Sequence, residues 1–287
     1  MGAITTLAKR VNAIAKDTRK HHETALDGGA IALLPGDPRV TERLSGILGI
    51  PAGDRPGADL LVIPLAMSDD ARAAALEAAA RARQDRRTLI VVIAPDNQRG
   101  RREAEVLAMP DVTISDVVFA PDVESDGSIE MITDGIIRAL GPQMVPAARR
   151  YPALRPAVRR SIVGSAARES AVAGALNWFP GTSAAQLAMV IRTGSSEGHG
   201  LSARRVPEIA AAVGSGLVIA TVARGASYVI PAPRWMVRGA VAWASTVALA
   251  AATERISHQM GGDNAPDVKT TLVSLLSRAR KGRKEKN

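Results

Sequence analysis

Short uninterrupted runs of Val, Ile, Leu and Ala recur through the first half of the chain, at 30–34, 59–65, 88–94 and 114–120. Between them lie stretches whose apolar residues return every three or four positions, at about 41–48, 68–87, 99–109 and 128–140. Runs with no polar alternation are what strands covered on both faces look like, and their alternation with helices predicts parallel βαβ units. Ser68 is placed to cap the long Ala-rich helix, with Asp69 and Asp70 in the first turn where the helix dipole favours anions. The first half is therefore expected to be an α/β domain with a small parallel sheet, over 26–142.

The pattern changes on either side of it. Residues 1–25 place Ile4, Leu7, Val11 and Ile14 on one helical face with Lys9, Arg10, Lys16, Arg19 and Lys20 mostly elsewhere. That is an amphipathic helix, suited equally to a membrane surface or to packing on a protein. Pro142, Pro146, Pro152 and Pro156 fall close together, so 143–160 is expected to be a linker. Beyond it the pattern is helical and rich in Ala and Gly: a helix over 157–176, a second over 182–192 opened by Thr182 or Ser183, then a polar break at 193–200.

Two uncharged runs of 15 residues follow, 209–223 and 239–253, on either side of a Pro-containing turn. A span needs roughly 20 apolar residues. Snorkelling by Arg224 and Arg238, with Tyr228 and Trp235 as interface aromatics, makes these four the membrane-interface candidates. Ala212, Gly216 and Ala220 on one run, and Ala240, Ala244 and Ala248 on the other, allow close helix contact. A lipid-facing hairpin and a buried hairpin of a water-soluble bundle both satisfy this spacing. The expected domain 161–260 is all-α, followed by a C-terminal helix and basic tail over 261–287.

Charge sharpens the division. Residues 1–150 carry 19 Lys and Arg against 21 Asp and Glu, net −2, whereas residues 151–287 carry 18 against 7, net +11. Six of those cations, Arg278, Arg280, Lys281, Arg283, Lys284 and Lys286, lie in the tail. A basic half attracts phosphate, whether of an anionic membrane or of nucleic acid. No aromatic residues accompany the tail for base stacking, so lipid is the leading partner and a soluble nucleic-acid-binding protein the alternative. The absence of cysteine removes disulfides and thiol chemistry, and the N-terminus carries no apolar run of signal-peptide length, so the expected location is the cytoplasmic side of the cell membrane.

The candidate chemistry lies in the first loop. After the run at 30–34 come Gly36, Asp37, Pro38 and Arg39, then a helix. A phosphate-binding loop of the form G-x-x-x-x-G-K-[ST] needs a second Gly, a Lys and a hydroxyl, and none follows Gly36 at the required spacing. Four histidines (His21, His22, His199, His258) show no metal-binding spacing, and Ser165 lacks the G-x-S-x-G elbow. No catalytic residue, cofactor or metal is predicted.

The stretch 58–97, ADLLVIPLAMSDDARAAALEAAARARQDRRTLIVVIAPDN, resembles the strand–helix–strand passage of Era-like GTPases that ends at the guanine-binding strand. Where that family has Asn-Lys-x-Asp this chain has Ala94, Pro95, Asp96 and Asn97, and Phe119 or Ala120 stands at its final Ser position. Only 50–57 separates the first helix from the second strand, too short for the switch segments. The resemblance thus implies a degenerate, P-loop-NTPase-like domain without hydrolysis, acting as a protein-interaction module. An unrelated small Rossmann-like domain gives the same pattern. WFPGTSAAQLAMVIRTG at 178–194, with the apolar helices after it, is similar to the YcjF-like helical domain that bacteria carry behind Era-like GTPase domains or in inner-membrane proteins, which implies membrane association and a role not yet characterised.

Overall fold

A computed structural model describes residues 28–34, 36–53, 55–65, 87–108, 112–197 and 232–260, the side chains of 179, 180 and 255–260 excepted. The expected helices at 1–25 and 68–87, the run 209–223 with Arg224 and Tyr228, and the tail 261–287 lie outside the described residues. Those described divide into two compact units, 28–161 with 195–197, and 162–194 with 232–260.

The first unit is built on the four apolar runs. β1 (Ile31–Leu33), β2 (Leu60–Leu65), β3 (Arg87–Ile93) and β4 (Val117–Ala120) form one sheet, all neighbours parallel. Residues 114–116, expected to extend the last strand, instead make a 3-10 turn held by a capping box between Thr113 and Asp116. Helices follow the strands: α1 (Pro38–Leu48) after β1, α2 (Arg99–Leu107) after β3 and α3 (Asp126–Leu140) after β4. Leu61, Ile63, Ile90, Val92 and Val117 share one face of the sheet with Val106 of α2. Ile132, Ile136 and Leu140 of α3 are also buried. Continuous apolar runs were the correct sign of a sheet buried on both faces.

The strands are ordered β1-β2-β3-β4, in chain sequence. Open α/β sheets bind ligands where strand order reverses, and this order contains no reversal. β2 carries Pro64 inside the sheet, where a missing N–H ordinarily costs a ladder bond. Leu60 donates to Ala30 O and Val62 O accepts from Leu34, so the two-residue alternation turns Pro64 toward β1 as well. Pairing on that side ends at Leu33 and Val62, and no ladder bond is lost.

The outer edge of β1 is closed from 120 residues away. The Tyr151 hydroxyl accepts from Ile31 N–H and donates to Ile31 C=O, each at 3.2 Å, while Gly53 N–H donates to Leu33 C=O at 2.7 Å. This satisfies backbone groups that an edge strand otherwise presents for pairing. Tyr151 lies in the segment 143–160 expected to be a linker, and that expectation is corrected. The segment forms α4 (Met144–Arg150), a 3-10 turn (Pro152–Leu154) and the start of α5 (Arg155–Ala175), with Ala147, Ala148, Leu154 and Val158 buried. Pro146, Pro152 and Pro156 sit in first turns, where no intrahelical N–H is required. They open helices rather than interrupt the chain.

The second unit is helical. It contains the rest of α5, most of α6 (Phe179–Ser196) and the described part of α7 (Arg234–Met260). α6 begins three residues before Thr182 and continues into the expected break as far as Ser196, where Ser195 and Ser196 are buried and Glu197 pairs with Arg159. α5 ends in a Schellman turn: Asn177, at φ 58°, donates to Gly174 C=O and Trp178 N–H donates to Ala173 C=O. α5 and α7 meet through small residues. A Cβ on Gly174 would lie 2.7 Å from Ala242 Cβ and 2.9 Å from Arg238 O, and one on Gly239 would lie 3.1 Å from Ala171 O. Gln186 of α6 donates to Thr246 of α7 at 3.2 Å in the interior.

Candidate functional site

Two places were singled out by the sequence, the loop after β1 and the apolar helices. At the loop, Gly36, Asp37 and Thr41 make their contacts with the chain itself. Gly36 packs on the end of β2, where a Cβ would stand 1.8 Å from Pro64 O. Asp37 is the N-cap of α1, its Oδ1 accepting from Arg39 N–H at 2.9 Å and Val40 N–H at 3.2 Å. Thr41 N–H donates to Asp37 C=O, Gly36 N–H reaches Thr41 Oγ1 at 3.4 Å, and Pro38 has no N–H to offer. A helix N-terminus attracts anions because its first N–H groups lack partners and carry the positive end of the dipole. Here the chain's own carboxylate takes that position and meets those donors.

The ends of β3 and β4 carry loops of the same self-contained kind. After β3, Pro95, Asp96 and Asn97 are exposed in a 3-10 turn closed by Gln98 N–H to Pro95 C=O. After β4, Asp122 accepts from the backbone of Ser125 and Glu124 and from Ser125 Oγ. These backbone bonds hold its carboxyl below the usual aspartate range. The Arg99 guanidinium lies over the Phe119 ring, 5.9 Å from its centre. No group of three metal-capable side chains occurs among the described residues. Ser165 sits within α5 and donates to Glu169 at 3.2 Å, with no histidine in the contact.

The helical unit presents a different chemistry. Around α7, Gly239, Ala242, Thr246 and Thr253 are buried, whereas Trp235, Met236, Ala240, Trp243, Ala244 and Ala248 are exposed. At 100° per residue the first group spans about 60°, with Ala240, Ala244 and Ala248 on the opposite side, Met236 and Trp243 beside the buried arc and Trp235 in line with it. The contacts with α5 and α6 use Gly239, Ala242 and Thr246, Val237 is buried as well, and the large apolar side chains of Trp235, Met236 and Trp243 stand exposed. Of the membrane-interface candidates, Trp235 is 60% exposed, whereas Arg238 is half-buried beside α5, its Nε enclosed without a hydrogen-bond partner. Residues 234–254 are the stretch among the described helices long and apolar enough to cross a membrane, and 28% of its most apolar window is buried.

A second apolar surface adjoins the Schellman turn. Val172, Leu176 and Trp178 are exposed on one wall of a crevice of about 590 Å³ between α5 and α6. Gly181 permits this arrangement, because a Cβ there would fall 2.3 Å from the Trp178 ring. The sequence pointed to Trp235, but nothing in periodicity distinguished Trp178, Val172 and Leu176 as outward-facing. The signal available was the adjacency of Asn177, Trp178 and Gly181: a helix stop, an aromatic and a residue small enough to accept it.

No protein-family model matches this chain, and neither the curated proteins nor the solved structures contain a match.

Proposed function

We propose that this is a non-catalytic, membrane-associated protein whose helical unit contacts lipid and whose α/β unit serves as a protein-interaction module. The observation that carries the reading is that in the helical unit α5 and α7 meet through small residues while Trp235, Met236 and Trp243 of α7 stand exposed. In water, large apolar side chains drive helix packing and polar ones face outward. In lipid that driving force between helices is absent, interfaces favour Gly, Ala, Ser and Thr, and interhelical polar contacts such as Gln186 to Thr246 occur. Exposed tryptophans suit the boundary between hydrocarbon and headgroups. A stretch of 21 residues has a length of about 31 Å at 1.5 Å per residue, close to the hydrocarbon thickness.

The α/β unit enters the reading through its first loop. Phosphoryl transfer depends on cationic groups and metal at the phosphates, and here Asp37 supplies an anion to the same helix end. The Era-like and YcjF-like resemblances belong to this proposal as the arrangement it implies, a pseudo-GTPase domain ahead of a membrane-contacting one.

The test is flotation of the purified full chain with vesicles of phosphatidylethanolamine and phosphatidylglycerol, alongside equilibrium binding of GTP and ATP with magnesium. Co-flotation that persists in high salt is expected, with no nucleotide bound at micromolar concentration. A chain left in the aqueous fraction overturns the membrane reading. Micromolar nucleotide binding or magnesium-dependent hydrolysis overturns the non-catalytic one.

A further inference from the structure

The crevice between α5 and α6 runs along about two turns of α5, from Arg168 and Glu169 to Leu176, and ends at Trp178. Its walls are almost wholly apolar, with Ala173, Ala184, Ala185 and Ala188 contributing side chains too small to fill it. Val172 and Leu176 stand 61% and 73% exposed on its rim. Water in such a slot finds few polar partners, so apolar contents are favoured over solvent. The Trp178 indole is held in place by the turn at Asn177 and by its seat on Gly181, so the end of the slot is preformed.

The polar groups lie together at the other end. Arg168 and Glu169 are both exposed there, Arg168 steadied by its Nε donating to Gly164 C=O and Glu169 by accepting from Ser165. One cation and one anion at the mouth of an apolar slot complement an amphiphile with a long chain and a zwitterionic head, a phosphate to meet the guanidinium and an ammonium to meet the carboxylate.

We propose that the α5–α6 crevice is a phospholipid subsite, taking one acyl chain of a zwitterionic bilayer lipid against Trp178 with its headgroup at Arg168 and Glu169. This rests on the membrane reading and adds to it: the protein draws one lipid chain out of register with its neighbours rather than only lying against the bilayer. Burial of methylene groups supplies the affinity, and the charged pair sets the headgroup preference.

The test uses the full chain with Trp235 and Trp243 replaced by Phe, leaving Trp178 as the sole tryptophan. Monomeric lyso-phosphatidylethanolamine with a brominated chain is titrated in, and brominated phosphatidylethanolamine vesicles are used in parallel. Trp178 emission is expected to shift to the blue and to be quenched in both. Leu176→Ser, at an exposed position that leaves the fold intact, should weaken binding of the monoacyl lipid roughly tenfold. Ala184→Leu, which fills the slot, should reduce quenching in the same direction, and Arg168→Gln with Glu169→Gln should remove the preference for zwitterionic over anionic heads.

Vesicle binding with Trp178 unquenched, or quenching unchanged in Leu176→Ser, overturns the subsite and leaves the membrane reading standing. Quenching by the monoacyl lipid, together with a wild-type chain that does not float with vesicles, supports the subsite and overturns that reading. A concentration-dependent blue shift of Trp178 without lipid assigns the crevice to a second copy of the chain and overturns the proposal.

Discussion

The α/β unit and the helical unit use the same aliphatic alphabet in opposite ways. In the α/β unit Ile31, Leu44, Leu60, Ile63, Ile90 and Ile136 are among the largest fully buried side chains, and none of that group belongs to the helical unit. The helical unit buries Ser170, Thr182, Gln186 and Thr246 beside Leu187, Val190 and Ile191, and leaves Leu176, Trp178, Trp235, Met236 and Trp243 outside. The first unit is organised by removing apolar surface from water. The second buries Ile162, Leu187, Met189, Val190 and Ile191 but adds close contact of small residues and buried polar groups, and leaves more large apolar side chains outside.

Truncations give the widest separation between the two. Ile90→Ala in β3 removes a fully buried side chain from the sheet and should cost about 2–5 kcal/mol in denaturant unfolding. Trp243→Ser, on the exposed face of α7, should change stability by no more than about 0.5 kcal/mol while lowering the vesicle partition coefficient by roughly tenfold or more. Equal stability losses at the two positions would erase the distinction, because Trp243 would then be a core residue.

Tyr151→Phe tests how the α/β unit closes its edge. Loss of the hydroxyl strips Ile31 of both partners on that side, and about 1–3 kcal/mol of destabilisation is expected, with faster hydrogen exchange at Ile31. A smaller change is expected from Asp37→Ala, about 1 kcal/mol for a lost N-cap, measured by thermal or urea unfolding. If α1 is unaffected by that substitution, the carboxylate is not meeting the helix donors and the closed-loop account fails.

The smallest effect concerns pH. Asp122 has a folded-state value below the ordinary one, so its contribution is present above the usual aspartate range and is lost as pH falls through the folded value. Carbon-detected NMR titration should find a depressed midpoint in the wild type. A midpoint at the ordinary aspartate value would show that the Ser125 and Glu124 bonds do not persist in solution.

The sheet was legible because strands covered on both faces leave continuous Val, Ile and Leu runs, as at 59–65 and 88–94, and the helices Pro38–Leu48, Arg99–Leu107 and Asp126–Leu140 followed from periodicity. The edge clasp was not, because a contact between Tyr151 and Ile31 has no local trace. The prolines at 146, 152 and 156 read as a linker for a related reason: a proline that opens a helix and one that prevents it look alike until the register of the helix is known. The phosphate-like loop carried its explanation in Asp37 and Pro38, an N-cap followed by a proline at the first helical position. The packing side of α7 was only half visible. Alanines at 240, 244 and 248 suggested a packing face, but they lie outside, and Gly239, Ala242 and Thr246 make the contact. Small residues occupy so much of that helix that spacing alone did not select the side.

The most direct measurement is fractionation of the native protein by successive washes with salt, alkaline carbonate and detergent. The account predicts that the chain stays with the membrane through salt and carbonate and is released by detergent. Recovery in the soluble fraction, or release by salt alone, would contradict it, since neither leaves the exposed face of α7 in contact with hydrocarbon.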